Sequence, residues 1–308
     1  MLTNKLTPHL KKLTTTCPAI YKQFVYSKKE GLEEKNTFSD PLMEEQHTVV
    51  RGLIHKYENR ALILLTLNCA AYCRFCTRRR KVSDIEKGVL TDNDLKQIIV
   101  YLHKHPEIKE IIISGGDPLT VPHLLQKTLK QLAKLPQIKT IRIGTRLPVV
   151  DPKKIDSKLI NILKIVNRKT LYILIHFEHP QEITATTINA TQKLKTVSAM
   201  LLSQSVFLKG VNDSFDTLYQ LFSRLIEIGV KPYYLYHCDP VKGTEHFIVD
   251  VKKEIKIMTD LRKHLSGLAY PTYVIDAPNG SGKIPVPLEL WQFDATNYKD
   301  FNNKKIKI

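Results

Sequence analysis

The 308-residue chain carries 47 basic against 30 acidic side chains, a formal net charge of +17, with 43% hydrophobic and 25% charged residues. Those values exclude a single small module and suit one α/β barrel or two compact domains with a sizeable core. No apolar run approaches the ~18 residues of a membrane span, and the opening MLTNKLTPHLKKLTTTCP lacks the apolar stretch of a secretory leader, so a cytoplasmic protein without membrane contact is expected.

Two readings of the charge compete. One is a nucleic-acid or acidic-protein partner. The other is that lysine covers solvated helix faces. Lysines are spread along the whole chain without a long block, which favours the second; RRRK at 78–81 and KKIK at 304–307 are local exceptions, the latter read as a frayed tail.

Residues 1–60 are polar and mixed, with helical stretches before Pro41. From there strands and helices alternate. ALILLTL (61–67) reads as a buried strand, 92–105 as a helix capped by Thr91 or Asp92, KEIIISGG (109–116) as a strand, and 122–135 as a helix opened by Pro122. Strand 140–146 precedes helix 153–169, strand 170–177 precedes helix 184–198, and strand 202–210 precedes helix 215–229. Strand 232–238, helix 251–267 and strand 272–278 close the series. Six β–α units plus a last strand imply parallel pairing. The fold class is therefore α/β, a partial TIM-like (β/α)6 barrel over 57–270, with a helical N-terminal extension over 1–56 and a short C-terminal segment over 271–308. In such folds the chemistry sits at the C-terminal ends of the strands. Cys69, Gly115, Gly116, Asp117, Arg146, His176, Lys209, Gly210, Cys238, Asp239 and Asp276 all read as strand-end residues.

Five cysteines, three of them within eight residues, do not look like a disulfide framework. Cys69, Cys73 and Cys76 form a C-x3-C-x2-C loop after the first barrel strand. Soft thiolates suit an iron–sulfur cluster or zinc. A closed structural zinc site takes four ligands, usually as two separated pairs. Three cysteines on a cubane leave one iron without a protein ligand. Zinc, or three unrelated core cysteines, are the bland alternatives. Cys238 reads as strand-end packing rather than a fourth ligand.

The loop with Thr77-Arg78-Arg79-Arg80 resembles the radical S-adenosylmethionine family, and more narrowly the lysine 2,3-aminomutases, including the branch that makes (R)-β-lysine for elongation factor P. The resemblance runs from about Asp40 to Val286 through DPLMEEQHTVVRGLIHKYENR, CAAYCRFCTRRR, SGGDPL, IRIGTRLPVVDP, HFEHPQEIT, QSVFLKGVNDS, PYYLYHCDP and YVIDAPNGSGKIPV. It implies an isomerase that moves the α-amino group of L-lysine to the β-carbon, giving β-lysine. The implied cofactors are a [4Fe-4S] cluster on Cys69, Cys73 and Cys76, S-adenosylmethionine on its open iron, and pyridoxal 5′-phosphate.

By the same resemblance, Gly115, Gly116, Asp117, His176 and Gln204 face S-adenosylmethionine. Lys283, closing the run Asn279-Gly280-Ser281-Gly282-Lys283, is the Schiff-base lysine, and Tyr57 and Arg60 contact pyridoxal phosphate. Arg78 grips the substrate α-carboxylate, bidentate geometry favouring arginine. Asp239 and Asp276 hold the ε-ammonium. Each also has an ordinary reading: a strand-to-helix turn, a structural histidine, a solvated turn lysine, a cap. A phosphate-loop reading of the glycine run fails on spacing.

Three departures stand out. The chain stops at Ile308 without the cysteine-bearing segment of long aminomutases, and Ser214 stands where a zinc-binding cysteine is found there, so no zinc is expected and the oligomer built on that segment does not transfer, although a homo-oligomer of another kind is compatible. Glu178 in HFEHP replaces the usual Asn. The short C-terminus resembles the elongation-factor branch, whereas the intact CTRRR and DAP-x-G-x-GK motifs resemble the free-lysine enzymes. A radical enzyme acting on RNA is the rival the charge suggests, and a non-catalytic iron–sulfur or zinc module is a third reading.

Overall fold

Isoleucine and leucine recur at every second position of the central strands, and that spacing buries one face of each in turn. In Glu110–Gly115 (β4) and Thr140–Thr145 (β5) the alternation is unbroken, with Ile111, Ile113, Ile141 and Ile143 fully buried. A computed structural model describes residues 2–32, 37–82, 88–277, 282–288, 298–299 and 304–306.

The described strands before these two are Thr48–Val50 (β1), Leu53–Tyr57 (β2) and Arg60–Thr66 (β3). After them come Thr170–His176 (β6), Met200–Val206 (β7), Val230–Tyr236 (β8), Thr272–Ala277 (β9) and Gly282–Pro285 (β10). They form one sheet in sequence order from β1 to β10. Pairing is parallel from β3 through β9, as the β–α alternation predicts. It is antiparallel at both margins, where β1 and β2 precede β3 and β10 folds back on β9. The sheet is thus an open, mostly parallel one rather than a closed ring.

The helices begin where the sequence offers caps. Pro8–Thr16 (α1) and Pro18–Phe24 (α2) open the chain. Asp92–Lys104 (α3) starts at a reciprocal Thr91–Asp94 capping box, a feature worth about 1 kcal/mol. Pro122–Lys134 (α4) packs Leu124, Leu125, Leu129 and Leu132 inward. Leu147–Val150 (α5) is a single turn. Ser157–Leu163 (α6), Ala185–Lys195 (α7), Phe215–Glu227 (α8) and Val251–His264 (α9) start at Asp156, Thr184, Ser214 and Asp250, whose side chains accept from the first turn. Ser214 accepts from Thr217 N at 3.3 Å.

Some expectations shift. The stretch 1–56, read as helical, also holds β1 and most of β2. The helix read over 153–169 is broken: residues 152–154 form a 3-10 turn and α6 starts only at Ser157, because the Asp156 carboxylate caps Leu159 N. The strand read as 202–210 ends at Val206, so Lys209 and Gly210 lie in the turn beyond it. Asp276 lies inside β9 rather than after it. Among the described residues no helix is long and apolar enough to cross a membrane.

Candidate active site

The cysteine loop leaves the C-terminal end of β3 and is fastened on several sides. Arg74, fully buried, donates to Glu30 through Nε at 2.8 Å and through Nη2 at 2.5 Å, and to the Thr3 carbonyl at 3.1 Å. Arg79 shares Glu30 at 2.7 Å and donates to the Gly243 carbonyl at 2.6 Å. Asp117 N donates to the Asn68 carbonyl at 2.8 Å. Cys69, Cys73 and Cys76 are half-buried free thiols that feel one another's charge. Burial pushes all three up. The Cys76 thiol rises to about 11, with Cys73 adding to the rise and Arg78 and Arg79 opposing it. Among the described residues no three His, Cys, Asp or Glu side chains converge on one ion position. A cubane takes each thiolate on a different iron, so its three cysteines need not converge on one ion position.

Gly115 and Gly116 lie against the start of the cysteine loop. A Cβ on Gly115 would lie 2.1 Å from the Thr66 carbonyl oxygen, and Gly115 has φ +126°, which favours glycine. A Cβ on Gly116 would lie 2.3 Å from the Asn68 carbonyl oxygen. What these glycines admit is the backbone of the cysteine loop itself. Asp117 is buried and its carboxylate is engaged by Leu119 N at 3.1 Å, Thr145 Oγ1 at 2.9 Å and Arg146 N at 2.8 Å. Burial raises its pKa against those bonds. It ties the ends of β4 and β5 together.

His176 and Gln204 stand side by side in register on β6 and β7. His176 Nδ1 lies 3.4 Å from Glu178 Oε1, and Gln204 Nε2 donates to Tyr236 Oη at 2.8 Å. Glu178, fully buried, also accepts from Val206 N at 2.7 Å. Burial raises its pKa, and His176 and Arg146 oppose the rise.

Arg78 Nε sits 3.0 Å from both carboxylate oxygens of Glu44, and Nη2 lies 2.6 Å from Oε1. Its Nη1 donates to the Gly115 carbonyl at 3.2 Å. This bidentate ion pair sets the plane of the guanidinium and leaves further N–H groups on its Nη atoms.

Lys283 is the second residue of β10 and pairs in register with Asp276 of β9. Its ammonium lies 2.8 and 3.0 Å from the Asp276 oxygens and 5.2 Å from the Tyr236 ring centre. Pro278, Asn279, Gly280 and Ser281, the rest of the glycine run, lie outside the described residues. Asp239 joins the same electrostatic neighbourhood. Burial lifts its carboxyl to about 7, Asp276 adds to the rise, and Lys283 and His237 oppose it. Tyr57 and Arg60 lie at the turn between β2 and β3, so Arg60 opens the strand whose far end leads to the cysteines. The Arg60 guanidinium stacks 3.9 Å from the Tyr57 ring centre. The Tyr57 hydroxyl comes within 3.3 Å of a Cβ placed on Gly282, beside Lys283.

The residues present fit the groups the resemblance implies. Three soft thiols in one braced loop suit an iron–sulfur cluster. A lysine amine next in sequence to Gly282, with the Tyr57 hydroxyl near that glycine and the Arg60 guanidinium stacked on the Tyr57 ring, suits a phosphorylated aldehyde. Sequence reasoning missed Glu44, Tyr236, Glu182 and Gln23. Glu44 lies in a motif that was visible, but nothing in it pointed to Arg78. Gln23 had no signal at all.

An open parallel sheet with a three-cysteine loop after its first parallel strand defines a radical S-adenosylmethionine enzyme. The model for the Radical SAM superfamily matches residues 63–222, and the model described as Lysine-2,3-aminomutase matches 258–290. L-lysine 2,3-aminomutase of Methanococcus maripaludis is 40% identical over 268 residues, covering 87% of this chain and 61% of the relative. That of Fusobacterium nucleatum is 40% identical, covering 88% and 63%. That of Escherichia coli is 39% identical, covering 89% and 79%. A radical SAM methyltransferase from Sphaerobacter thermophilus shares the fold, with TM-score 0.52 at 16% identity over 73% of this chain and 68% of its own. The chain belongs to the lysine 2,3-aminomutase family of radical S-adenosylmethionine enzymes. It spans about three fifths of the length of the first two relatives.

Proposed function

We propose that the protein catalyses migration of the α-amino group of L-lysine to its β-carbon, giving β-lysine. The observation that carries this reading is the meeting of Lys283, Asp276 and Asp239, one amine and two carboxylates at the margin of a sheet whose first parallel strand leads to three cysteines. An amino-acid substrate with a cationic side chain needs an anionic partner for the charge it buries.

In this reading Cys69, Cys73 and Cys76 hold the cluster, His176 and Gln204 line the adjoining strand ends for S-adenosylmethionine, and Lys283, Tyr57 and Arg60 hold pyridoxal phosphate. When bound, these groups supply a carbon-centred radical and a conjugated system that carries an unpaired electron while nitrogen moves. Gly115, Gly116 and Asp117 face S-adenosylmethionine at the same end of the sheet and also fix the cysteine loop against β4. Arg60 meets the phosphate, with Tyr57 stacked beneath its guanidinium. Arg78, its plane set by Glu44, receives the α-carboxylate on its remaining N–H groups. Lys283 gives up Asp276 when its amine is engaged, and that carboxylate, with Asp239, then accepts the substrate ε-ammonium. The fixed orientation of both substrate ends is what makes a short intramolecular transfer efficient.

The test is anaerobic incubation of cluster-loaded protein with L-lysine, S-adenosylmethionine, pyridoxal phosphate and dithionite, followed by chiral chromatography. β-Lysine is expected. Loaded protein that binds S-adenosylmethionine yet forms no β-lysine contradicts the reading. The handedness of the product separates a free-lysine enzyme from one supplying elongation factor P. The relatives named above do not favour the RNA-modifying alternative.

A further inference from the structure

Arg146 was visible in the sequence only as a polar residue at a strand end. It follows β5, is 7% exposed, and has its guanidinium committed on nearly every side. Nη1 donates to Cys73 Sγ at 2.8 Å. Nη2 donates to Glu182 Oε1 at 3.0 Å and to the Gln23 side-chain carbonyl. The rings of Phe24 and Phe75 flank it at 4.6 and 5.3 Å. Its backbone N–H is held by Asp117. Glu182, fully buried, is fixed in turn by Glu178 N, which donates to Oε2 at 2.8 Å. Arg146 Nε is buried with no hydrogen-bond partner.

A buried guanidinium is costly to desolvate, and its pairing with Glu182 offsets that cost. A structural ion pair would need no sulfur. Here the cation is aimed at one of the three thiols and clamped so that it cannot turn away.

We propose that Arg146 is a positioning residue for the iron–sulfur cluster, whose electron affinity is set by the buried Arg146–Glu182 pair through the N–H donated to Cys73. This rests on the reading that Cys73 ligates a cluster. A positive charge beside a cluster sulfur favours the reduced, more negative state, and a negative charge disfavours it. Gln23 extends the device into α2, so the N-terminal helices take part in holding the arginine against the sulfur.

The experiment is a potentiometric titration of the reconstituted full chain, followed by the spin signal of the reduced cluster, with iron and sulfide counted for each variant. Arg146→Met should lower the midpoint potential by at least a tenfold change in the oxidised-to-reduced ratio, ~59 mV for one electron. Glu182→Gln, which keeps the shape and an acceptor, should raise it. Arg146→Lys should restore part of the fall. Loaded variants whose potentials stay at the wild-type value, or both move in the same direction, overturn the proposal. Should Arg146→Met fail to hold iron, Glu182→Gln decides alone, a rise supporting the proposal and an unchanged or lower value refuting it. Wild-type protein that takes up no iron and sulfide would instead remove the cluster reading itself.

Discussion

Lys283 and Asp276 face one another in register across the antiparallel pair β9 and β10, with Nζ 2.8 and 3.0 Å from the two carboxylate oxygens. Under the proposed function, the ammonium of Lys283 occupies the ground that the side-chain ammonium of a lysine substrate would claim, and binding pyridoxal phosphate through Lys283 would remove that competitor. Lys283→Ala should abolish the visible absorption of bound pyridoxal phosphate. Asp276→Asn should keep the absorption and raise KM for L-lysine by about ten- to a hundredfold, the ~1–3 kcal/mol of a lost charge-assisted bond. Absorption spectra and steady-state kinetics check both.

Asp239 gives a pH dependence. Its carboxyl stands at about 7 in the folded protein, against about 3.9 in an unfolded chain. The folded state therefore binds more protons between these values, and stability falls as pH rises through that window. Asp239→Asn should be more stable than wild type at pH 8, by on the order of 1–3 kcal/mol, and the gain should vanish near pH 4. Lysine binding works in the opposite sense. An arriving ammonium favours the carboxylate, so wild-type affinity should rise with pH toward about 8 and binding at pH 6 should release protons. Calorimetry in buffers of different ionisation enthalpy measures this.

Gly116→Ala should damage the cysteine loop. The added methyl would meet the Asn68 carbonyl oxygen at 2.3 Å and the Asn68 and Leu67 carbonyl carbons at 2.7 Å, all backbone atoms that have little room to yield. Overpacking of this kind costs about 1–3 kcal/mol. The expected result is a lower melting temperature together with reduced iron uptake on reconstitution. Gly31→Ala, where nothing lies within 4 Å, is the matched control.

The Arg78–Glu44 pair predicts a coupled pair of phenotypes. Arg78→Lys keeps the charge but loses the two-pronged geometry, so KM for L-lysine should rise while the fold holds. Glu44→Gln leaves Arg78 in place with a weaker anchor and should raise KM in the same direction by a smaller factor. Unchanged KM in Glu44→Gln would mean that Arg78 is oriented by the Gly115 carbonyl instead.

Much of the sheet was legible in the sequence because buried parallel strands are near-continuous apolar runs separated by capped helices. β3 through β9 and most helix starts follow from that. β1 and β2 were not legible. They are short, lie at the margin, and carry polar residues such as Lys56 and Thr48 that read equally well as loop. The 153–169 helix was overextended because apolar spacing continues through residues whose backbone is held in 3-10 turns. At the site, single residues in motifs were visible, whereas partnerships were not. Glu44 meets Arg78 across 34 positions, and Gln23 meets Arg146 across 123. Such contacts exist only once the chain has folded. The close backbone approach at Gly115 and Gly116 was not legible for the same reason, since the Thr66 and Asn68 carbonyls they accommodate belong to another strand end.

In the proposed function Cys69, Cys73 and Cys76 carry a cubane with one iron free of protein. Mössbauer spectroscopy of protein reconstituted anaerobically with iron-57, before and after S-adenosylmethionine, tests it most directly. One iron in each cluster should change its parameters on addition while the others do not, and any single Cys→Ala substitution among the three should remove the cluster. Four equivalent irons indifferent to S-adenosylmethionine would contradict it.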